Sequence, residues 1–386
     1  MPIRDKLLPY GRHWLDDDDI AAVGRVLRSD WLTTGPTVGE FEGAFARAVG
    51  AAHAVAVANG TAALHCAVVA AGVKPGDEVI VPTLTFAASA NCVRYQGGRV
   101  VFADVREDTL NVDPAQVERL ITPRTKAVVA VDYSGQPCDL DELGELCRRR
   151  GIVLIEDAAH AIGATYRGRP VGAIADLTAF SLHPVKLMTT GEGGVVTTSD
   201  AAMARRLRAF RNHGISADHR ERAAAGSWEY DIGELGYNYR LTDFQCALGL
   251  SQLRKMKGWL DARRHIAGRY QNALGRLAQL ILPVTLGDRE SGWHLYVVRL
   301  RLEQLRVDRK RVFEALRAEN IGVNVHYIPV PWHSYYQGLG YRKGDWPVAE
   351  DAYARMLTLP LFPRMTDQDV DDVVGAMTKV IDHYAT

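Results

Sequence analysis

The sequence lacks a surplus of charge of either sign, and its few cysteines lack the spacing of a metal or redox motif. Lysine plus arginine and aspartate plus glutamate both number 46 in a chain of 386 residues. This balance gives no electrostatic argument for a nucleic-acid or membrane-surface partner. The five cysteines are odd in number and form no Cys-x-x-Cys pair. We therefore expect isolated core thiols in a reducing compartment.

Two further absences narrow the class of protein. No apolar run approaches the length of a membrane-spanning helix, and the N-terminus shows no charged-then-apolar signal pattern. We therefore expect a cytoplasmic, soluble chain with no membrane partner. The sequence also contains no G-x-G-x-x-G, which argues against a hydride-transferring enzyme of the dinucleotide-binding type.

An acidic run, Asp16–Asp19, raises the question of a metal site. It precedes an amphipathic segment that has Arg25 and Arg28 near its other end. Carboxylates at the start of a helix and cations at its end both favour the helix dipole. Because this explanation needs no further ligands, we predict a helix start here and no metal.

Seven short apolar segments between residues 53 and 198 carry the fold prediction. Most are continuously apolar rather than alternating, which is typical of strands that are buried on both faces. They are His53–Ala58, Glu78–Pro82, Arg99–Ala103, Ala127–Asp132, Ile152–Glu156, Leu177–Ser181 and Gly194–Thr198. Helical segments separate the first five; one begins at Asp113-Pro114 and another ends at Gly151. The pattern predicts an α/β fold with a large, mostly parallel, seven-stranded sheet covered by helices.

The C-terminal third has a different pattern. A long helical region runs from Leu241 to about Leu282, with Thr242 and Gln245 in capping-box spacing. Strands are predicted over Trp293–Leu300 and Ile321–Tyr327. We predict a large domain over residues 1–240 and the long helix with a smaller α+β domain over residues 241–386.

Chemically active residues follow several of the predicted strands. Asn59-Gly60-Thr61 forms a turn into a helix, where free backbone N–H groups can hold a phosphate. Asp157 and His160 follow a buried strand, at the sheet edge where ligands of open α/β proteins bind. Taken singly, the turn is a common strand–helix connection, Asp157 a helix cap and His160 a core histidine.

Lys186 and Phe86 complete the pattern. Lys186 lies on a turn between a strand and the Thr-Thr-Gly-Glu-Gly-Gly segment, and Phe86 comes just after a strand end. A phosphate site, a flat aromatic ring, a carboxylate and a lysine together meet the requirements of pyridoxal 5′-phosphate (PLP). The lysine holds the aldehyde as an imine, and the carboxylate keeps the pyridine nitrogen protonated.

Long motifs along nearly the whole chain resemble the DegT/DnrJ/EryC1/StrS family of sugar aminotransferases. They include "SDWLTTGPTVGEFE", "GDEVIVPTLTFAASAN", "LIEDAAHAIGA", "FSLHPVKLMTTGEGG" and "LGYNYRLTDFQCALGLSQL". The resemblance implies a fold-type I PLP enzyme that works as a homodimer with shared active sites. A PLP sugar dehydratase of this family carries histidine at the imine position, and a non-enzymatic protein of this fold need not keep the site; Lys186 argues against both.

The resemblance implies a role for each residue that matches a family motif. Lys186, Asp157 and His160 are the expected catalytic residues. The expected cofactor contacts are Gly60, Thr61, Ala62, Phe86, Asp157, His160, Ser181, Lys186 and, at the neighbouring subunit's site, Asn238. The expected substrate contacts are Tyr10, Asp30, Trp31, Leu32, Thr33, Gly60, Ser181, Asn238, Val325, His326, Tyr327 and Ile328. Asn59 replaces the serine of many members, so the resemblance gives its side chain no role.

Two stretches, 235–253 and 323–341, resemble the pseudaminic-acid branch of the family. Members of that branch are UDP-4-amino-4,6-dideoxy-N-acetyl-β-L-altrosamine transaminases. The resemblance implies L-glutamate as donor and C4 of a UDP-linked 4-keto-6-deoxy-N-acetylhexosamine as acceptor. A UDP-linked D-xylo 4-keto epimer or a dTDP-linked 4-keto-6-deoxy sugar is the alternative.

Overall fold

The computed structural model of the chain describes residues 4–215 and 226–386. Its largest feature is a seven-stranded sheet with the spatial order β1-β9-β8-β5-β4-β2-β3. Neighbouring strands run parallel, except that β9 is antiparallel to both β1 and β8. The strands are β1 (His53–Val57), β2 (Glu78–Pro82), β3 (Arg99–Ala103), β4 (Thr125–Val131), β5 (Val153–Asp157), β8 (Leu177–Ser181) and β9 (Gly194–Thr198). The predicted mostly parallel sheet is confirmed.

Helices cover both faces of this sheet, which explains why its strands are continuously apolar. The helices of this part are α1 (Asp17–Leu27), α2 (Pro36–Ala48), α3 (Gly60–Ala70), α4 (Ala88–Tyr95), α5 (Pro114–Leu120), α6 (Leu140–Arg150) and α7 (Ala201–Phe210). The predicted end signals are confirmed: the Asp113 side chain caps α5, and Gly151 ends α6 with a left-handed φ of 65°. Two short strands, β6 (Thr165–Tyr166) and β7 (Arg169–Pro170), form a separate small sheet with β11 (Arg289–Glu290).

The acidic run begins α1, as predicted. Asp16 caps this helix by accepting a hydrogen bond from the backbone N–H of Asp19. Both carboxylates form ion pairs with Lys255, with a distance of 2.8 Å between Asp19 Oδ1 and Lys255 Nζ. Over the two described ranges, no cluster of three histidine, cysteine, aspartate or glutamate side chains could hold a metal ion.

A 32-residue helix, α8 (Asp243–Leu274), connects the sheet to the C-terminal part of the chain. Its predicted capping box is present, because the Thr242 and Gln245 side chains bond each other's backbone N–H groups. The helix ends at Leu274 rather than near Leu282, since Gly275 follows and the chain then enters strand β10 (Leu280–Ile281). It packs against α1, α2 and the helix Asp367–Tyr384.

The C-terminal part contains a three-stranded sheet in the order β10-β12-β13, with β12 at Tyr296–Leu300 and β13 at Met356–Leu359. The predicted strand Ile321–Tyr327 is wrong. That segment makes only isolated bridges, through Ile321 to Leu8 and Asn324 to Thr358, and β13 takes the sheet position instead. The helices of this part are α9 (Arg309–Ala318), α10 (Ser334–Gln337), α11 (Pro347–Arg355) and α12 (Asp367–Tyr384).

None of the helices in the described residues combines the length and the hydropathy that crossing a bilayer requires.

Candidate active site

A cavity of about 410 Å³ lies at the carboxyl edge of the large sheet. Parallel strands end at the same edge, so the turns after β1, β2, β5 and β8 converge there. Segments from the C-terminal part close the cavity from the opposite side. Ten of the predicted residues line it: Tyr10, Gly60, Thr61, Phe86, Asp157, His160, Ser181, Lys186, His326 and Tyr327. Asn59, which the resemblance left without a role, also lines the cavity.

The start of α3 forms one wall, beside Ser181 at the end of β8. A Cβ atom on Gly60 would lie only 2.8 Å from Ser181 Cβ, so glycine permits this close approach. The Asn59 side chain caps α3 by accepting a hydrogen bond of 2.8 Å from the Ala62 N–H. Asn59 therefore has a structural function, and Ala62 lies behind the cavity wall rather than on it. The backbone N–H groups at the start of α3 and the Ser181 hydroxyl together suit a bound phosphate.

Lys186 reaches the cavity from the turn after β8. Its backbone N–H donates to the carbonyl of His183, and its Nζ lies 3.5 Å from Nε2 of His294. Burial of the amine lowers the pKa of Lys186 to about 8; Asp157 opposes this shift, and the cation of Arg263 adds to it. An amine with this pKa is present in both its neutral and its charged form near neutral pH.

Asp157 lies at the end of β5 and is only 5% exposed. Its carboxylate accepts hydrogen bonds from the Ser89 hydroxyl at 2.6 Å and from the Ala159 N–H at 3.2 Å. Burial raises the pKa of this carboxyl group, whereas the two donors and Lys186 favour its ionised form. A buried carboxylate of this kind is suited to pair with a ligand cation.

Sequence reasoning missed Ser89. The residue lies on α4, one turn after Thr85, and the two hydroxyl oxygens are 2.7 Å apart. A pair of hydroxyl residues four positions apart behind a strand end was the available signal. It does not identify Asp157 as the partner, because that contact joins residues 68 positions apart in the chain.

Aromatic and imidazole rings form the outer wall. The Tyr327 hydroxyl lies 3.1 Å from His160 Nε2, and its ring centroid is 5.9 Å from that of Phe86. The His326 ring lies 5.2 Å from that of Tyr10 and bonds the Thr358 hydroxyl at 2.9 Å. Phe86 is 58% exposed, so its ring face is available to a flat ligand.

Several predicted residues lie away from the cavity wall. The segment Asp30–Thr33 is exposed and bonds the start of α8, with the Asp243 N–H donating to the Leu32 carbonyl. Val325 is half-buried in the core, and Ile328 is 44% exposed. Asn238 is exposed and pairs through its backbone with Asn212. A single chain does not bring these residues to the site, and their roles stay predictions.

His294 is the second residue that sequence reasoning missed. It lies just before β12, is 7% exposed, and lines the cavity beside Lys186. A lone histidine next to a strand is more often a core residue than a functional one, and only the three-dimensional structure places it against the lysine.

The residues present fit PLP. The start of α3 and Ser181 suit the phosphate, Asp157 suits the ring nitrogen, and Lys186 suits the aldehyde. Within the described chain, Nδ1 of His160 is buried without a hydrogen-bond partner. Buried polar atoms without a partner beside a cavity are consistent with a site that a polar ligand completes.

Several known proteins are similar to this chain over nearly its whole length. The chain is 44% identical over 381 residues to the spore coat polysaccharide biosynthesis protein SpsC of Bacillus subtilis (strain 168). The aligned region covers 98% of each chain. The PLP form of Spr1654 from Streptococcus pneumoniae matches with a TM-score of 0.92 at 32% identity, over 98% of this chain and 100% of that one. Spr1654 is also known in a pyridoxamine 5′-phosphate (PMP) form.

Helicobacter pylori PseC, an aminotransferase involved in the biosynthesis of pseudoaminic acid, matches with a TM-score of 0.91 at 30% identity, over 98% of this chain and 100% of that one. The sequence profile of the DegT/DnrJ/EryC1/StrS aminotransferase family matches residues 14–378. This chain therefore belongs to the DegT/DnrJ/EryC1/StrS family of PLP-dependent sugar aminotransferases.

Proposed function

We propose that the protein transfers the amino group of L-glutamate to C4 of a UDP-linked 4-keto-6-deoxy-N-acetylhexosamine. The observation that carries this proposal is one cavity that joins a buried lysine of lowered pKa to a buried, hydrogen-bonded carboxylate. A transaminase needs both groups, one to move a proton and one to hold the cofactor ring in its protonated form.

Each residue of this chain has a distinct task in the proposed reaction. When bound, PLP supplies a conjugated ring that stabilises the negative charge left on a carbon after proton loss. The neutral Lys186 amine accepts that proton at Nζ and later returns it from the ammonium form. Asp157 would accept a hydrogen bond from the ring nitrogen of bound PLP, and the Ser89 hydroxyl, which donates to Asp157, favours the ionised form of that carboxylate and orients it.

The outer wall supports a sugar substrate. Tyr10, Phe86, His326 and Tyr327 line the cavity with flat rings. Aromatic rings pack on the apolar faces of sugars and bases, while their polar atoms are available to hydroxyl groups. The likeness of 235–253 and 323–341 to the pseudaminic-acid branch, together with the match to PseC, favours the UDP-linked N-acetylated sugar.

A different nucleotide-linked keto-sugar is the second candidate. Its support is the relation to SpsC, which at 44% identity exceeds the 30% identity to PseC. By name, SpsC and PseC contribute to different products, a spore coat polysaccharide and pseudoaminic acid. If the residues around the cavity are those of SpsC rather than those of PseC, the substrate is a different nucleotide-linked keto-sugar.

A panel of 4-keto-6-deoxy sugars tests the substrate. With L-glutamate as donor, we expect the UDP-linked β-L-arabino 4-keto sugar to give a kcat/KM at least about tenfold above that of its D-xylo epimer or a dTDP-linked sugar, because one lost polar contact already changes binding by this factor. Release of 2-oxoglutarate measures each rate. A preference for either competitor would replace the proposed substrate while leaving the aminotransferase activity in place.

We also propose a homodimer in which Asn238 serves the partner subunit's site. Asn238 lies outside its own chain's cavity, on a segment that exposes the large apolar side chains of Trp228 and Leu235 at 83% and 84%. Large apolar side chains that are exposed close together on one segment are typical of a protein–protein interface.

Mixed dimers test this arrangement. Lys186→Ala and Asn238→Ala chains are each expected to be impaired alone. When the two are mixed in equal amounts and their subunits exchange, half of the dimers are mixed and each mixed dimer has one intact site. The mixture should therefore regain about a quarter of the wild-type activity. Native mass spectrometry confirms the exchange. A mixture that exchanges without recovering activity contradicts the shared site.

A further inference from the structure

His294 contacts Lys186 although it belongs to the C-terminal part of the chain. His294 Nε2 lies 3.5 Å from Lys186 Nζ. Among the described residues, this is the hydrogen-bond contact that the Lys186 amine makes. The His294 ring also packs on that of His160, with 4.4 Å between their centroids. The function proposed above gives His294 no task.

The backbone around His294 is held from two sides. The buried Arg263 of α8 donates from Nη1 to the carbonyls of Trp293 at 2.9 Å, His294 at 3.1 Å and Leu361 at 3.0 Å. On the other side, a Cβ atom on Gly135 would lie 2.7 Å from the Trp293 nitrogen, so glycine allows the loop after β4 to pack directly on this segment. The imidazole is therefore presented to Lys186 from a fixed position.

The contacts of the two ring nitrogens favour one tautomer. Within the described residues, Nδ1 of His294 is buried and has no hydrogen-bond partner, whereas Nε2 faces Lys186. A buried N–H without a partner is rarer in proteins than an acceptor without one. The proton therefore belongs on Nε2, and an Nε2–H can donate to Lys186 only when the amine is neutral and has its lone pair free.

Titratable groups from several elements surround Lys186. Burial lowers the pKa of His160 and His294 well below the ordinary value and that of His326 to about 4, so all three rings are neutral near pH 7. Asp157 favours the ammonium form of Lys186, and Arg263 disfavours it. The remaining titratable groups of the cavity wall are Tyr10, His183, Glu192 and Tyr327.

We propose that His294 is a positioning residue for Lys186, whose neutral amine accepts a hydrogen bond from His294 Nε2–H and is thereby held in place for proton transfer. The bond is lost when Lys186 gains a proton, because an ammonium group has no lone pair. The ammonium form is then less stable, which favours return of the proton, while His294 itself keeps its protonation state. This inference rests on the proton-transfer role proposed for Lys186.

A matched pair of variants tests the proposal. In His294→Gln the amide nitrogen reaches the position of Nε2, whereas in His294→Asn the side chain is one methylene shorter and leaves that position to water. The full-length protein freed of cofactor is mixed with PLP at pH values from about 6 to 10, and the rate of covalent attachment is followed by absorbance. Affinity for PMP, which does not need the lysine, is measured by calorimetry.

In the wild type we expect attachment to accelerate as the pH rises through about 8, since the neutral amine is the reactive form and the pKa of Lys186 is lowered to about 8. In His294→Asn the midpoint should move up by about one pH unit, which slows attachment about tenfold at pH 7. His294→Gln should stay within about twofold of the wild type, and PMP affinity should be unchanged in both.

Three results would overturn the proposal: a wild-type profile in His294→Asn, an equal loss in both variants, or a parallel loss of PMP affinity, which indicates a structural role. If His294→Asn does not fold, spectra of wild-type protein with ¹⁵N-labelled histidine decide, with the His294 signals identified through His294→Gln. A proton on Nδ1 contradicts the proposal, and one on Nε2 supports it. Failure of the wild type to attach PLP at Lys186 would instead contradict the function proposed above.

Discussion

Lys186→Ala is expected to abolish amino transfer, with a fall in turnover of about 10⁴-fold, the upper end of the range for a positioned general acid and base. The variant should also lose the visible absorbance of the lysine-linked cofactor. It should keep its fold, since burial already disfavours the charged amine, as the lowered pKa of Lys186 shows. Turnover with glutamate and a keto-sugar, together with the thermal unfolding temperature, measures both expectations.

The matched control is Lys257→Ala, which removes an exposed lysine whose ion-pair partner among the described residues is Asp261 on the same helix. Its activity should equal that of the wild type, because exposed pairs of this kind contribute little. Substantial turnover by a well-folded Lys186→Ala protein would show that another group carries the proton.

Asp157→Asn has the second largest expected effect. The amide keeps the size of the side chain but cannot carry the negative charge that favours a protonated ring nitrogen. We expect kcat to fall about 10²–10³-fold, the range for removal of one group that stabilises developing charge in a transition state. Cofactor content should remain nearly normal, because Lys186, Ser181 and the start of α3 are unchanged.

Ser89→Ala is the graded comparison for this variant. It removes the 2.6 Å hydrogen bond to Asp157 but leaves the charge in place, so its loss in kcat should be about tenfold or less. An Asp157→Asn rate close to that of the wild type, at full cofactor loading, would show that the carboxylate does not act on the ring nitrogen.

Continuous apolar segments and capping residues were enough to predict the large sheet. Strands buried between helix layers have a sequence pattern that depends little on distant contacts, and caps such as Asp113 and Gly151 act locally. The C-terminal part was harder to predict. Ile321–Tyr327 has the composition of a strand, but Asn324 only bridges to Thr358, and the strand that contains Thr358 follows a helix without a break.

The same contrast holds for the site. Lys186 and Asp157 could be predicted because Asp157 ends a strand, Lys186 follows another, and the ends of both strands meet at one sheet edge. Ser89 and His294 could not, since each is defined by a contact to a residue more than 60 positions away, 68 for Ser89 to Asp157 and 108 for His294 to Lys186. Nothing in the local sequence of either residue distinguishes it from a packing residue.

The half-reaction with L-glutamate tests the central claim most directly. Protein loaded with PLP is mixed with L-glutamate in the absence of any sugar, and 2-oxoglutarate and the cofactor spectrum are followed together. The account predicts about one equivalent of 2-oxoglutarate per chain and conversion of the cofactor to PMP, as expected for a reaction in which the enzyme holds the amino group between two substrates. A fully loaded protein that releases no 2-oxoglutarate and shows no spectral change would contradict it.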